Sequence, residues 1–137
     1  MKLSLARDIA ELERIVAATR AYFVEQHIPD SLAYTVDLAT EELFVNIVRH
    51  GGAEDDPILL EMSPTQNGVA VTLSARSPLP FDPRDESEVD TRLPVQEREP
   101  GGLGLHLVRR VVSSLEYQYR DRESRIRFTA TTRPQDA

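Results

Sequence analysis

The pair Asn67-Gly68 stands between two apolar runs, Ile58 to Met62 and Val69 to Leu73. Asn-Gly favours positive backbone angles at a short turn, so the spacing predicts a tight hairpin of two antiparallel strands. Two helical patterns precede it. Ile9, Leu12, Ile15, Val16, Tyr22 and Phe23 recur at helical spacing behind Asp8 and Glu11, which stand as in a capping box. Leu32, Val36, Ala39, Leu43, Ile47 and Val48 form the second pattern, with Asp30 or Ser31 as its cap and Gly51-Gly52 as its stop. Residues 1–6 read as a short edge strand.

Downstream, Gly101-Gly102-Leu103-Gly104 opens a third helix whose stripe Leu105, Leu107, Val108, Val111 and Val112 faces a core. Leu115 to Tyr119 and Arg125 to Thr131 then close the chain as strands around the polar stretch Asp121 to Ser124. The segment from Pro78 to Pro100 is rich in proline and charge and poor in apolar anchors, which suits a long, mobile, lid-like loop. Strand, two helices, hairpin, lid, helix and hairpin together predict a two-layer α/β sandwich with helices on one face of a mixed sheet. A single domain over residues 1–133 follows, with 134–137 as a frayed tail.

The chain of 137 residues carries 23 acidic and 16 basic side chains, a formal net charge of -7, which argues against a field that gathers nucleic acid. It contains no cysteine, so disulfides, thiolate metal sites and cysteine nucleophiles are excluded. The first residues lack a signal-peptide apolar region, and no apolar run is long enough to cross a bilayer. A soluble cytoplasmic protein is expected, with no membrane partner.

Two features can carry chemistry. Glu42 and Asn46 stand four apart on the second helix and share a face. An Asn carbonyl is a hard oxygen ligand for magnesium, and a nearby carboxylate can orient or deprotonate a nucleophile. Alone, the pair reads first as a solvated helix face, since charged and polar residues at this spacing are common. Gly101, Gly102 and Gly104 permit close backbone approach ahead of a helix N-terminus, an anion site in principle and otherwise a tight connection. No Lys-Ser or Lys-Thr follows, so this is not a P-loop. His27, His50 and His106 are too scattered to build a metal site.

In order and spacing, EELFVNIVRHG (41–51), PFDP (80–83) and GGLGLHLVRR (101–110) resemble the boxes of GHKL (Bergerat) ATPases, in the short anti-sigma-factor serine/threonine kinase branch of the RsbW type. That resemblance covers essentially the whole chain. It implies ATP and Mg2+ as cofactors, with Asn46 as metal ligand and Glu42 as catalytic base. Gly101, Gly102, Leu103, Gly104 and Leu105 would cradle the phosphates, Leu103 and Leu105 through their backbone N–H groups. Arg98 could approach the terminal phosphate or, as an exposed loop arginine, do nothing specific. The implied partners are a STAS-domain anti-sigma antagonist, phosphorylated on serine or threonine, and a sigma factor, with a homodimer among the assemblies allowed.

One box departs from the pattern. Counted back from PFDP, the family's Asp-x-Gly, whose Asp accepts from the adenine amino group, falls on Arg76-Ser77-Pro78. A guanidinium cannot accept a hydrogen bond, so this alignment implies weak adenine binding, repaired by Arg76→Asp with Pro78→Gly. It also keeps open a nucleotide-degenerate module that regulates by partner binding alone.

Overall fold

The computed structural model describes residues 1–50, 56–78 and 102–132. The loop expected from Pro78 to Pro100 and the tail at 134–137 therefore lie almost wholly outside the described residues, as do Arg98 and Gly101. Strand β1 is Lys2–Leu5, helix α1 Leu12–Gln26, helix α2 Ala33–His50, β2 Ile58–Thr65, β3 Gly68–Arg76, α3 Gly102–Val111, β4 Ser114–Arg120 and β5 Glu123–Thr131.

Local chemistry accounts for the helix ends. A 3-10 turn at Ile9–Glu11 leads into α1, and the Asp8 carboxylate caps it by accepting from the Ala10 N–H at 2.9 Å. Glu11 does not return to Asp8 as a capping box would, but accepts from the Ala6 N–H at 2.8 Å. Helix α1 ends with His27 in the left-handed region, φ 55, and the Ile28 N–H reaches back to the Phe23 carbonyl at 3.0 Å. Neither Asp30 nor Ser31 caps α2. They belong to a 3-10 turn, Asp30–Leu32, that runs into it behind Pro29.

The five strands take the order β1-β2-β3-β5-β4, and every pairing is antiparallel. The expectation of a mixed sheet is corrected, and the connections explain why. Helices α1 and α2 cancel one another's travel, so β2 starts beside the end of β1, with Ile58 opposite Leu5. Helix α3 is a single crossover, and β3 and β4 do run in the same direction. Strand β5 inserts between them, so no parallel neighbours remain.

Strand alternation divides the sheet into two faces. Leu5, Ile58, Leu60, Met62, Val69, Val71, Leu73, Ala75, Ile126, Phe128 and Ala130 are buried and share the helix side with Val36, Leu43, Phe44, Ile47, Leu105 and Val108. The opposite face carries Glu61, Thr72, Arg76, Glu116, Gln118, Arg120, Arg125 and Arg127 and stays open, as antiparallel sheets allow.

Both hairpins form, with two-residue turns of different chemistry. At Gln66-Asn67 neither Asn67 nor Gly68 adopts a positive φ, contrary to the expectation from the Asn-Gly pair. Gly68 is needed for close approach instead: a Cβ there would lie 1.9 Å from the Ala130 carbonyl oxygen. The positive angles appear at Asp121 (φ 52) and Arg122 (φ 63), between the paired residues Arg120 and Glu123, as a type I′ hairpin turn requires.

Candidate functional site

Chain direction brings three termini to one end of the sheet. Helix α2 finishes shortly before Ile58, and Leu59 lies opposite Ser74, so the last turns of α2 sit toward the end where β3 finishes. Helix α3 finishes shortly before Ser114, which pairs with Thr129 at the far end. Its ten residues span about 15 Å, so its first turn points back toward the end of β3. Helices α2 and α3 pack on one another. The last turns of α2, the first turn of α3 and the end of β3 therefore converge.

Asn46 is 7% exposed on α2, while the buried side-chain oxygens left without a partner among the described residues are those of Thr40 and Thr65. Glu42, one turn earlier, is half-buried. Burial lifts its carboxyl above the ordinary value of 4.5, the neighbouring Glu41 carboxylate adds to the rise, and Arg49 opposes it. Neither side chain lies on the fully solvated side of α2.

Arg49 escaped the reading of the sequence. It stands one turn beyond Asn46, exposed, and its charge reaches Glu42. The signal was available in the helical spacing 42, 46, 49.

Gly102, Leu103 and Gly104 belong to the first turn of α3 rather than to a loop ahead of it. The first four N–H groups of a helix have no intrahelical acceptor, so those of residues 102–105, Leu103 and Leu105 included, are of the kind an anion can accept from. The Leu105 side chain is buried in the core at 4% exposure. His27 ends α1, His50 ends α2 and His106 lies on α3, on three separate elements.

The end of β3 shows where the first residue aligned from PFDP lies. Val69, Val71, Leu73 and Ala75 point to the helices, which turns Arg76 to the open face. There its guanidinium meets Asp56 at 3.5 Å and lines a polar depression of about 420 Å³ with Gln118, Arg120, Glu123 and Arg125. A neighbouring open-face depression of about 560 Å³ includes Thr72, Glu116 and Arg127. Both lie across the sheet from Asn46. The Arg76 carbonyl accepts from Arg7 Nη2 at 2.7 Å, while Arg7 Nε donates to the Asp56 carbonyl at 2.9 Å.

Ser77, 3% exposed, continues the inward period. Its N–H donates to the Arg122 carbonyl at 2.8 Å, extending the β3–β5 ladder by one residue. Its own carbonyl accepts from the Tyr119 hydroxyl at 2.8 Å.

The comparisons bear on the family and the fold. The family of histidine kinase-like ATPase domains matches residues 5–130. The serine/threonine-protein kinase BtrW of Bordetella bronchiseptica is 27% identical over 141 residues, covering 97% of this chain and 99% of that protein. In solved structures, the RsbU and RsbW domains of Rv1364c from Mycobacterium tuberculosis share the fold at TM-score 0.67 and 18% identity over 98% of this chain, which spans 33% of that one. The histidine kinase domain of the Erythrobacter litoralis EL346 blue-light activated histidine kinase does so at TM-score 0.53 and 15% identity, over 90% of this chain and 60% of that one. No helix among the described residues is long and apolar enough to cross a membrane.

Proposed function

Because the chain belongs to the histidine kinase-like ATPase domain family, we propose that it is a nucleotide-dependent protein-serine/threonine kinase of the anti-sigma type. In this reading it phosphorylates a STAS-domain antagonist and holds a sigma factor until that antagonist engages it. A cytoplasmic location goes with such partners. The observation that carries the reading is the placing on one flank of α2 of Asn46, 7% exposed, one turn from Glu42, a carboxylate whose pKa is raised.

A neutral amide oxygen is a hard ligand, and Asn46 fits magnesium for that reason. When bound with nucleotide, the cation supplies neutralisation of phosphate charge. Residues 102–105 offer N–H groups to the phosphates, and by resemblance Arg98 and Gly101 would join them. Glu42 takes the proton of the attacking serine or threonine hydroxyl. That oxygen forms the new bond to the terminal phosphorus as the bond to the bridging oxygen breaks and the nucleoside diphosphate leaves.

The test is phosphate transfer from ATP to a STAS-domain protein. Transfer by the native chain, reduced by about a hundredfold or more in Glu42→Gln with nucleotide affinity retained, is the expected result. Transfer undiminished in that variant removes Glu42 as the base. The second reading, a module acting by occupancy alone, draws on Arg76-Ser77-Pro78, which offers no carboxylate to a base. Capture of the partner without any nucleotide binding would favour it.

A further inference from the structure

We propose that the open face of the sheet holds a second ligand site, a depression built on Arg125 and Arg127 that takes a small molecule bearing a carboxylate or phosphate group. It lies across the sheet from Asn46, and it stands or falls independently of the nucleotide reading above.

Strand register assembles the site. Arg125 stands opposite Ser74 on β3 and Gln118 on β4, and Arg127 stands opposite Thr72 and Glu116. Residues two apart on a strand share a face, so the two guanidiniums rise side by side from β5, the strand between β3 and β4. Thr72, Glu116, Gln118, Arg125 and Arg127 line the depression of about 560 Å³. That volume falls within the range of small-molecule sites.

Charge selects the ligand. The chain as a whole carries a net charge of -7, yet this depression sets two arginines against one glutamate. Arg127 Nη1 lies 3.9 Å from Glu116 Oε1, whereas among the described residues Arg125 takes part in no ion pair. In the adjoining depression Arg76, Arg120 and Arg125 stand against Asp121 and Glu123, again a surplus of one positive charge. Arg125 belongs to both depressions, and it is the cation that an incoming anion would neutralise.

Donor chemistry agrees with charge. A guanidinium presents paired N–H groups that match two oxygens of a carboxylate or a phosphate. The Thr72 hydroxyl and the Gln118 amide add neutral donors beside it. A nucleic-acid backbone suits this face less well, because its row of phosphates would meet Glu116 and Glu123 as well as the arginines.

The experiment is titration of the full, isotope-labelled chain with inorganic phosphate and, separately, with citrate, followed by amide NMR, on the native protein and on Arg125→Gln, Glu116→Gln and Arg110→Gln. Saturable shifts should cluster at Thr72, Gln118, Arg125 and Arg127, and the tighter of the two probes names the acidic group that the site prefers. Arg125→Gln should weaken that probe by about three- to tenfold. Glu116→Gln, which removes the opposing carboxylate, should tighten it by about two- to fivefold. Arg110→Gln changes an exposed arginine on α3 and should leave the affinity as it was. Absence of saturable shifts on this face with either probe would overturn the proposal, as would shifts confined to residues 102–105. Equal weakening in Arg110→Gln and Arg125→Gln would overturn it too, by assigning the effect to overall charge.

Discussion

The two hairpin turns have equal length and opposite construction. At Gln66-Asn67 the backbone is unstrained, and Gly68 serves only to let β5 approach, its absent Cβ replaced by the Ala130 carbonyl. At Asp121-Arg122 two side-chain-bearing residues are held at positive φ, and the carbonyl they present receives the Ser77 N–H. The first turn closes the sheet at the end away from Asn46. The second closes it where helix termini, Ser77 and Arg7 gather.

Opposite construction predicts opposite responses to glycine. Gly68→Ala drives a methyl group into backbone and should destabilise the fold by about 3 kcal/mol or more, read by urea denaturation. A near-neutral result would show that the approach of β5 is adjustable there. Next in size is Tyr119→Phe, which leaves the Ser77 carbonyl without its side-chain donor and should cost about 1–2 kcal/mol.

Arg122→Gly removes a left-handed side-chain residue and should stabilise by about 0.5–1 kcal/mol, the strain relief exceeding the added freedom of the unfolded chain. Loss of stability would mean that the Arg122 side chain contributes more than its backbone strain costs.

The smallest effect concerns pH. Glu42 has a folded pKa above its ordinary 4.5, so its protonated form suits the fold better than its charged form does. The stability it contributes is fully present below about pH 4.5 and is lost as pH rises through the raised value. Glu42→Gln should therefore melt higher than the native chain at pH 7, with the gap closing below about pH 4.5. A gap independent of pH would assign the effect to packing.

Much of this fold is legible in residue periodicity. The stripes of Ile15 to Phe23 and of Val36 to Ile47 could only be helix faces, and the runs on either side of Asn67-Gly68 could only pair as neighbours. What periodicity could not supply was the phase at the end of β3. Alignment on PFDP counts residues, whereas the side on which a residue falls is set by burial of Leu73 and Ala75. A slip of one residue leaves the motif intact and exchanges the faces of the sheet. The alternation Val69, Val71, Leu73, Ala75 already extends to Ser77 and was the signal available. The Asn-Gly pair misled in another way, since its glycine answers to β5, more than 60 residues along the chain. Arg7 and Tyr119 act over similar separations, which no local pattern records.

The central claim is that a nucleotide binds against Asn46 at the end of the sheet closed by the Asp121-Arg122 turn. Titration of the native chain and of Asn46→Ala with magnesium-ATP, followed by calorimetry, tests it most directly. The account predicts saturable binding by the native chain, weakened by about tenfold or more in Asn46→Ala. Equal affinity in both proteins, or a native chain that ignores the nucleotide altogether, would contradict it.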